Sequence, residues 1–253
     1  MLYSKNIKKH LKIPCGSTGR FAMLLLLFSP AIAKAQRQRV YNNGVWAGYY
    51  TNAELGKGYS LVTQMEVRTR QWTNRWHQQL LDIGVANQLN AKWRIATGAA
   101  WYRSAQYSDE FFFKNEWRLW QETNHTLGGQ KLTFLQRVKV DERWIQEVSN
   151  GKKMNSYAYI TRMHYKSELQ KPLHNEKITP VLGNEFMFNP FNLGTDKAFD
   201  QNRTWLGVNV KLTRAVILQC HYLKIYQWRS GNILDNQNII RVNFVQHFNM
   251  KNS

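Results

Sequence analysis

Between Lys131 and Arg143 every second residue belongs to one of two faces. One reads Lys131, Thr133, Leu135, Arg137, Lys139, Asp141, Arg143, and the other Leu132, Phe134, Gln136, Val138, Val140, Glu142, Trp144. A period of two is the repeat of a strand, whose side chains point alternately to opposite faces. In a soluble sheet the charged face would meet bulk water. Here several long segments share the pattern and follow an export signal, which predicts a membrane barrel with a charged lumen. Place and shape follow from this, but activity does not, because no stretch amounts to a specific catalytic or ligand-binding motif.

The start of the chain has to be set apart before any fold is considered. Lys5, Lys8, Lys9, Lys12 and Arg20 precede the apolar run FAMLLLLFSPAIA, which ends in the small-residue site Ala33-Lys34-Ala35. This is the pattern of a secretory signal, read as residues 1–35 with cleavage before Gln36. A retained membrane anchor fits less well, since the run falls short of the ~20 apolar residues that a spanning helix needs and contains Pro30. An internal start such as Met23 is left open. Cys15 precedes the apolar run and so does not sit where a lipoprotein cysteine would.

The leader carries six lysines and arginines and no acidic residue, so a formal net charge of +19 for the whole chain becomes +13 for residues 36–253. Such an excess raises nucleic acid as a partner. The basic residues, however, are spread singly through alternating segments and build no basic helix or finger, so no nucleic acid is expected. For an exported chain, outer-membrane lipid, lipopolysaccharide phosphates, small anionic solutes or a charge-compensated lumen are better matches. Cys220 is the only cysteine after the leader, which rules out an internal disulfide and supplies no metal or redox motif. No cofactor is expected.

Residues 36–253 read as one domain, with no proline-rich linker or charge block. Glycines and asparagines punctuate eleven candidate strands: GVWAGYYTNAEL, YSLVTQMEVRTR, WHQQLLDIGVANQL, KWRIATGAAWYR, FFFKNEWRLWQET, KLTFLQRVKVDERWI, SYAYITRMHYKSELQ, KITPVLGNEFMFN, QNRTWLGVNVKLT, AVILQCHYLKIYQW and QNIIRVNFVQHFN. Most reach the ~9 to 11 residues of a tilted membrane strand. Tight links at Leu55 to Gly58, Asn90 to Lys92, Leu127 to Gln130 and Thr213 to Ala215 are expected on the periplasmic side. Longer ones at Gln71 to Arg75, Ser104 to Glu110, Val148 to Asn155, Pro190 to Asp200 and Ser230 to Asn236 are expected outside.

The expected fold is all-β: a single up-and-down antiparallel transmembrane barrel of about 10–12 strands. Single-chain bacterial barrels favour even numbers, so ten or twelve is preferred to eleven, with residues Gln36 to Asn43 crossing the lumen as a way to reconcile the count. Trp93 and Trp101 bracket one outward face, and Phe134 and Trp144 another, at separations suited to a lipid-facing aromatic girdle. On the last strand, Ile240, Val242, Phe244 and Phe248 oppose Arg241, Asn243, His247 and Asn249. That strand resembles those by which the barrel assembly machinery recognises its clients, although the chain continues to Met250-Lys-Asn-Ser.

The stretches Asn115-Glu-Trp-Arg118, Arg137-Val-Lys-Val-Asp-Glu-Arg143, Asn184-Glu-Phe-Met-Phe-Asn189 and Phe199-Asp-Gln-Asn-Arg203, the last leading into Gly207, occur in that order along most of the chain. Together they resemble a family of uncharacterised outer-membrane barrels of Gram-negative bacteria, catalogued as a domain of unknown function. Its pattern places an acidic residue, usually glutamate, between arginines on the central strand. Asp141 stands there in this chain, and Lys139 stands where a second arginine is common. The resemblance implies a barrel, an outer-membrane address and no established activity.

The candidate site is the inward charge ladder of Glu66, Arg68, Arg70, Glu116, Arg118, Arg137, Lys139, Asp141, Arg143, Arg162, Glu185 and Arg203, with His164 and Lys166 beside Arg162. Buried charges persist only when paired or hydrated. The ladder therefore reads first as an interlocked set of pairs that fills a narrow barrel, and second as the wall of an anion path. An enzyme that modifies outer-membrane lipid would need a nucleophile, a base and an orienting acid. His77, His125, His164, His221 and His247 offer bases, but no Gly-x-Ser-x-Gly elbow or His-x-x-x-His pair accompanies them. The histidines lie on separate strands without metal-ligand spacing. The expectation is an outer-membrane barrel of structural or passive-transport type, not an enzyme, with the lipid-modifying barrel as the alternative.

Overall fold

A computed structural model describes residues 38–107, 110–129, 131–173, 177–192, 198–229 and 233–250. The proposed leader, residues 1–35, lies outside them. Eleven strands follow in chain order: β1 (Gln38–Gly56), β2 (Tyr59–Arg70), β3 (Arg75–Gln88), β4 (Trp93–Tyr107), β5 (Phe111–Gly129), β6 (Leu132–Ser149), β7 (Lys152–Gln170), β8 (Ile178–Phe188), β9 (Phe199–Lys211), β10 (Val216–Arg229) and β11 (Ile233–Asn249). A short 3-10 turn at Pro190–Asn192 sits between β8 and β9.

Each strand pairs with its chain neighbours, and β1 meets β11 to close the barrel. The count is eleven, not the preferred ten or twelve. Gln38 to Asn43 do not cross the lumen: they extend β1 and pair with Ile233 to Asn238. An odd number of alternating strands forces the closing pair to run parallel, and β1 and β11 stay in register from Gln38 with Ile233 to Glu54 with Asn249. Gln38 and Asn249 consequently lie at opposite rims.

Loop length does not separate the two rims as expected. Val148 to Asn155 is no long loop; β6 and β7 join through Asn150 and Gly151, whose φ values of 49° and 71° are those of a primed hairpin turn. Lys57 and Gly58 make the same kind of turn at the other rim, at 51° and 83°. That rim also carries the longer β7 to β8 link between Gln170 and Ile178. Strand pairing outlasts the turn signals elsewhere too, so Ser104 to Tyr107 belong to β4 and Ile233 to Asn236 to β11.

Outward side chains are apolar and well exposed along successive strands, among them Met65 (54%), Ile83 (51%), Leu119 (49%), Leu182 (55%) and Leu206 (60%). Monomeric soluble proteins rarely show contiguous apolar faces of this extent. The interior combines charge with two apolar clusters. One gathers Trp46, Val181, Trp205, Leu223, Ile225 and Ile239, and the other Leu80, Ala86, Ala96, Ala100, Tyr102 and Trp120. Two of the indoles lie against glycine. A Cβ at Gly84 or Gly98 would stand 2.5 Å from Trp120, and one at Gly183 2.2 Å from Trp205, so those glycines are what let flat rings fit inside.

Candidate functional site

The wall formed by β5 to β8 carries the densest charge. Glu116 Oε1 accepts from Arg118 Nε and Arg143 Nε, both at 2.6 Å. Asp141, fully buried, faces Arg118 Nη1 at 3.1 Å, Lys139 Nζ at 3.4 Å and His164 Nε2 at 3.1 Å. Glu185 accepts from Arg137 Nη2 at 2.6 Å, faces His164 Nδ1 at 3.3 Å and meets Arg203 Nη1 at 3.4 Å. His164 thus ties β6 to β8, with one carboxylate oxygen against each ring nitrogen. These carboxylates each hold at least two cations, which is how charge survives away from bulk water.

Other cations rest on aromatic faces. The Arg118 guanidinium lies 3.6 Å from the centre of the Tyr102 ring, that of Arg68 4.0 Å from Trp46, and the Lys139 ammonium 4.7 Å from Trp120. The indole N–H of Trp120 donates to Asp82 at 2.8 Å and that of Trp205 to Glu168 at 3.1 Å. Trp46 differs: its Nε1 is buried and has no hydrogen-bond partner among the described residues.

All twelve members of the ladder line one cavity of about 900 Å³. Its lining reaches Arg70, Arg75, Tyr107 and Arg229, the terminal residues of four strands at one rim. Thirteen lysines and arginines line it against five carboxylates. Asp235, Asp200 and Glu122 add three carboxylates that pair with lining arginines from outside the lining, and the cations still lead by five. A second cavity of about 300 Å³ lies toward the other rim, lined by Gln170, Asn209 and Ile217 among others. Between the two stand the hydrogen bonds from Gln170 to Glu168 (2.7 Å) and between His221 Nε2 and Asn209 (3.0 Å).

The girdle residues lie on the outer face. Trp101 stacks on Trp117 at 6.0 Å, Trp144 packs on Tyr159 at 5.4 Å and Trp93 stacks on His125 at 4.1 Å, while Phe134 stands across from Leu127 and Leu169. The candidate bases are dispersed. His125 is outside the barrel, His77 meets Arg70 at 3.3 Å, and His221 is bonded to Arg241 and Asn209. Sequence reasoning missed the inward indoles and Asp82, Glu168 and Asp235. Parity could have found two of them, since Trp120 shares the face of Glu116 and Arg118, and Trp205 that of Arg203.

The sequence pattern of a family described as "Protein of unknown function (DUF2490)" matches residues 43–238. No curated protein matches the chain. Similar solved structures include two of low identity. The NanC porin in a rhombohedral crystal form is 13% identical over 77% of this chain and 93% of its own, with a TM-score of 0.44. The siderophore receptor PirA from Pseudomonas aeruginosa is 12% identical over 71% of this chain and 36% of its own, with a TM-score of 0.30.

Proposed function

The chain belongs to the DUF2490 family of proteins of unknown function, and on that premise we propose that it is an outer-membrane barrel of passive type whose basic interior takes up small anionic solutes. The observation that carries this is the excess of lysine and arginine over carboxylate along the cavity. A charged wall of one sign raises the local concentration of the opposite ion and sets which ions pass. The membrane address is supported by the apolar outer face, the export leader and strands of 11 to 19 residues, more than enough to cross a bilayer. Outer-membrane lipid and lipopolysaccharide would surround the barrel, and the assembly machinery would insert it.

Planar bilayers test the proposal. With side chains packed between the two cavities, the conductance should be small, and it should favour anions. Lys114 and Arg75 line the cavity and form no ion pair among the described residues, so reversing them leaves the paired wall intact. Lys114→Glu with Arg75→Glu should move the reversal potential toward cation preference, and a reversal potential indifferent to both would overturn anion uptake. The address is tested separately by fractionation, where recovery of a soluble periplasmic protein would remove the membrane reading altogether. Overexpression should leave lipid A acylation unchanged; a change abolished by His77→Ala or His125→Ala would favour the enzyme instead.

A further inference from the structure

The closing seam places one inward row of side chains in register across four strands. Trp46 on β1 stands opposite Arg68 on β2 and opposite Arg241 on β11, and Arg241 stands opposite His221 on β10. All four line the cavity. Arg241 Nη2 donates to His221 Nδ1 at 2.7 Å. A guanidinium cannot accept, so this ring nitrogen is the acceptor and the ring proton sits on Nε2, where it donates to Asn209 Oδ1 at 3.0 Å. The imidazole therefore brings Arg241 no negative charge.

Nor is a carboxylate in direct contact with it, although Glu66 and Glu168 act on it from farther off. The described ion pairs include none to Arg241, and the nearby Glu66 is already taken by Arg68 and by the Tyr50 hydroxyl at 2.5 Å. Arg241 Nε is buried without a partner, as are Trp46 Nε1 and Arg203 Nε, while the Arg203 guanidinium lies 5.2 Å from the centre of the Trp46 ring. Trp46 itself is only 2% exposed. Trp46 thus stands between two cationic donors, in register with Arg241 and under Arg203, whose head nitrogens also reach Glu185 at 3.4 Å and Gln201 at 3.0 Å while its Nε stays unfilled. Buried donors call for an acceptor, and cationic donors for an anionic one.

We propose that the seam binds an oxyanion, the carboxylate or phosphate group of a small solute, between Arg241 and Arg203 with the Trp46 indole N–H donating to it. The site rests on the reading of the cavity as a place for anions. It adds a fixed station to it. Charge alone would attract any anion, whereas a neutral N–H held between guanidiniums selects an oxygen acceptor of defined position.

The test is the indole N–H signal of Trp46 in the ¹⁵N-tryptophan-labelled barrel in detergent micelles, identified by its loss in Trp46→Phe. Inorganic phosphate and glucuronate are titrated separately, with sodium chloride at matched ionic strength and glucose as controls. The expected result is a saturable shift of the Trp46 signal with one or both oxyanions, while the signal of Trp120, whose donor is already engaged by Asp82, stays in place. Phosphate alone would identify a phosphorylated solute, glucuronate alone a carboxylated one, and both an oxyanion in general. Arg241→Gln should weaken the response at least five-fold, with an unmoved Trp120 signal certifying the fold, since Trp205 lies under Arg241 at 5.5 Å and moves with it; Arg241→Lys is the substitute if that variant fails to fold. No shift, or an equal shift with chloride, overturns the site. Saturable binding without anion-selective conductance would leave the site standing and remove passage, and selective conductance with a silent Trp46 signal would do the reverse.

Discussion

The β5 to β8 wall and the stretch of the β1/β11 seam around Trp46 and Arg241 are built from the same residue types and treat charge in opposite ways. On the wall, Glu116, Asp141 and Glu185 each gather two or more cations, and His164 bridges two of them. At the seam, Arg241 meets a neutral imidazole and the face of Trp205, 5.5 Å from the ring centre, with no ion pair, and Trp46 has no partner for its N–H among the described residues. Net charge therefore says little about which arginines are available to a ligand. Those held by carboxylates maintain the barrel, Arg203 offering a ligand only what Glu185 leaves of it, whereas Arg241 has no ion pair to give up among the described residues.

Removing a carboxylate from the wall should have the largest effect. Asp141→Ala leaves Arg118, Lys139 and His164 facing one another in a site with no exposed surface, and breaking a buried ion pair from one side costs about 3 to 5 kcal/mol. Urea unfolding of the barrel in lipid vesicles would measure it. Arg241→Ala, which strands no carboxylate, should cost about 1 kcal/mol or less, near the lower edge of what a lost hydrogen bond contributes. Equal losses at the two positions would erase the distinction between wall and seam.

A second contrast uses glycine. Gly98→Ala would set a methyl 2.5 Å from Trp120 and 2.3 Å from the Ile83 carbonyl oxygen, and backbone on one side with a packed indole on the other cannot give way. Overpacking of that kind costs about 1 to 3 kcal/mol. Gly48→Ala at the seam meets only side-chain atoms, Asn243 Oδ1 at 2.7 Å and the Tyr50 ring at 3.0 Å. It should be the milder change, and the same unfolding series would show the order.

How much of this was readable beforehand depends on whether the controlling interaction is local. The inward and outward faces of Lys131 to Arg143 follow from the two-residue repeat alone. So does the inward place of Glu116 and Arg118, because parity along one strand needs no partner. The pairing of Asp141 with Arg118 and His164 depends on the registers of β5 with β6 and of β6 with β7, which closure of the whole barrel fixes. Strand number was hidden for a related reason. Gln38 to Asn43 lack an alternating apolar face, and they become strand because β11 offers them a full set of backbone partners. The inward indoles of Trp46, Trp120 and Trp205 were not legible because aromatic residues alternate onto either face of a membrane strand. Gly84, Gly98 and Gly183 open interior room for them, and that room appears only when neighbouring strands are set side by side.

A third contrast separates indoles by their N–H groups. Trp120→Phe removes the donor that satisfies Asp82 and should cost about 1 to 3 kcal/mol, the range for a buried polar group left unsatisfied. Trp46→Phe loses no hydrogen bond among the described residues, so its penalty should be smaller by about 1 kcal/mol, the usual net worth of one such bond. Were the two variants equally unstable, an internal partner of the Trp46 N–H would have to exist, and the case for an incoming oxyanion would weaken with it.

An effect as small as that of Arg241→Ala should come from the residue next to the most sensitive one. Val140 precedes Asp141 on β6, but its side chain points outward, in register with Gln121 and Met163 on the neighbouring strands. Truncating a side chain in a packed core adds the cost of the cavity left behind to the lost transfer energy. Acyl chains in a bilayer can move into the space, so Val140→Ala should lose chiefly the transfer part, about 1 kcal/mol for two methyl groups that are not wholly buried. In vesicles the unfolding midpoint should barely move, while Asp141→Ala, one residue along, should shift it severalfold further. If Val140→Ala proved as damaging as Asp141→Ala, Val140 would have to face a packed interior, and the assignment of the apolar face to lipid would be reversed.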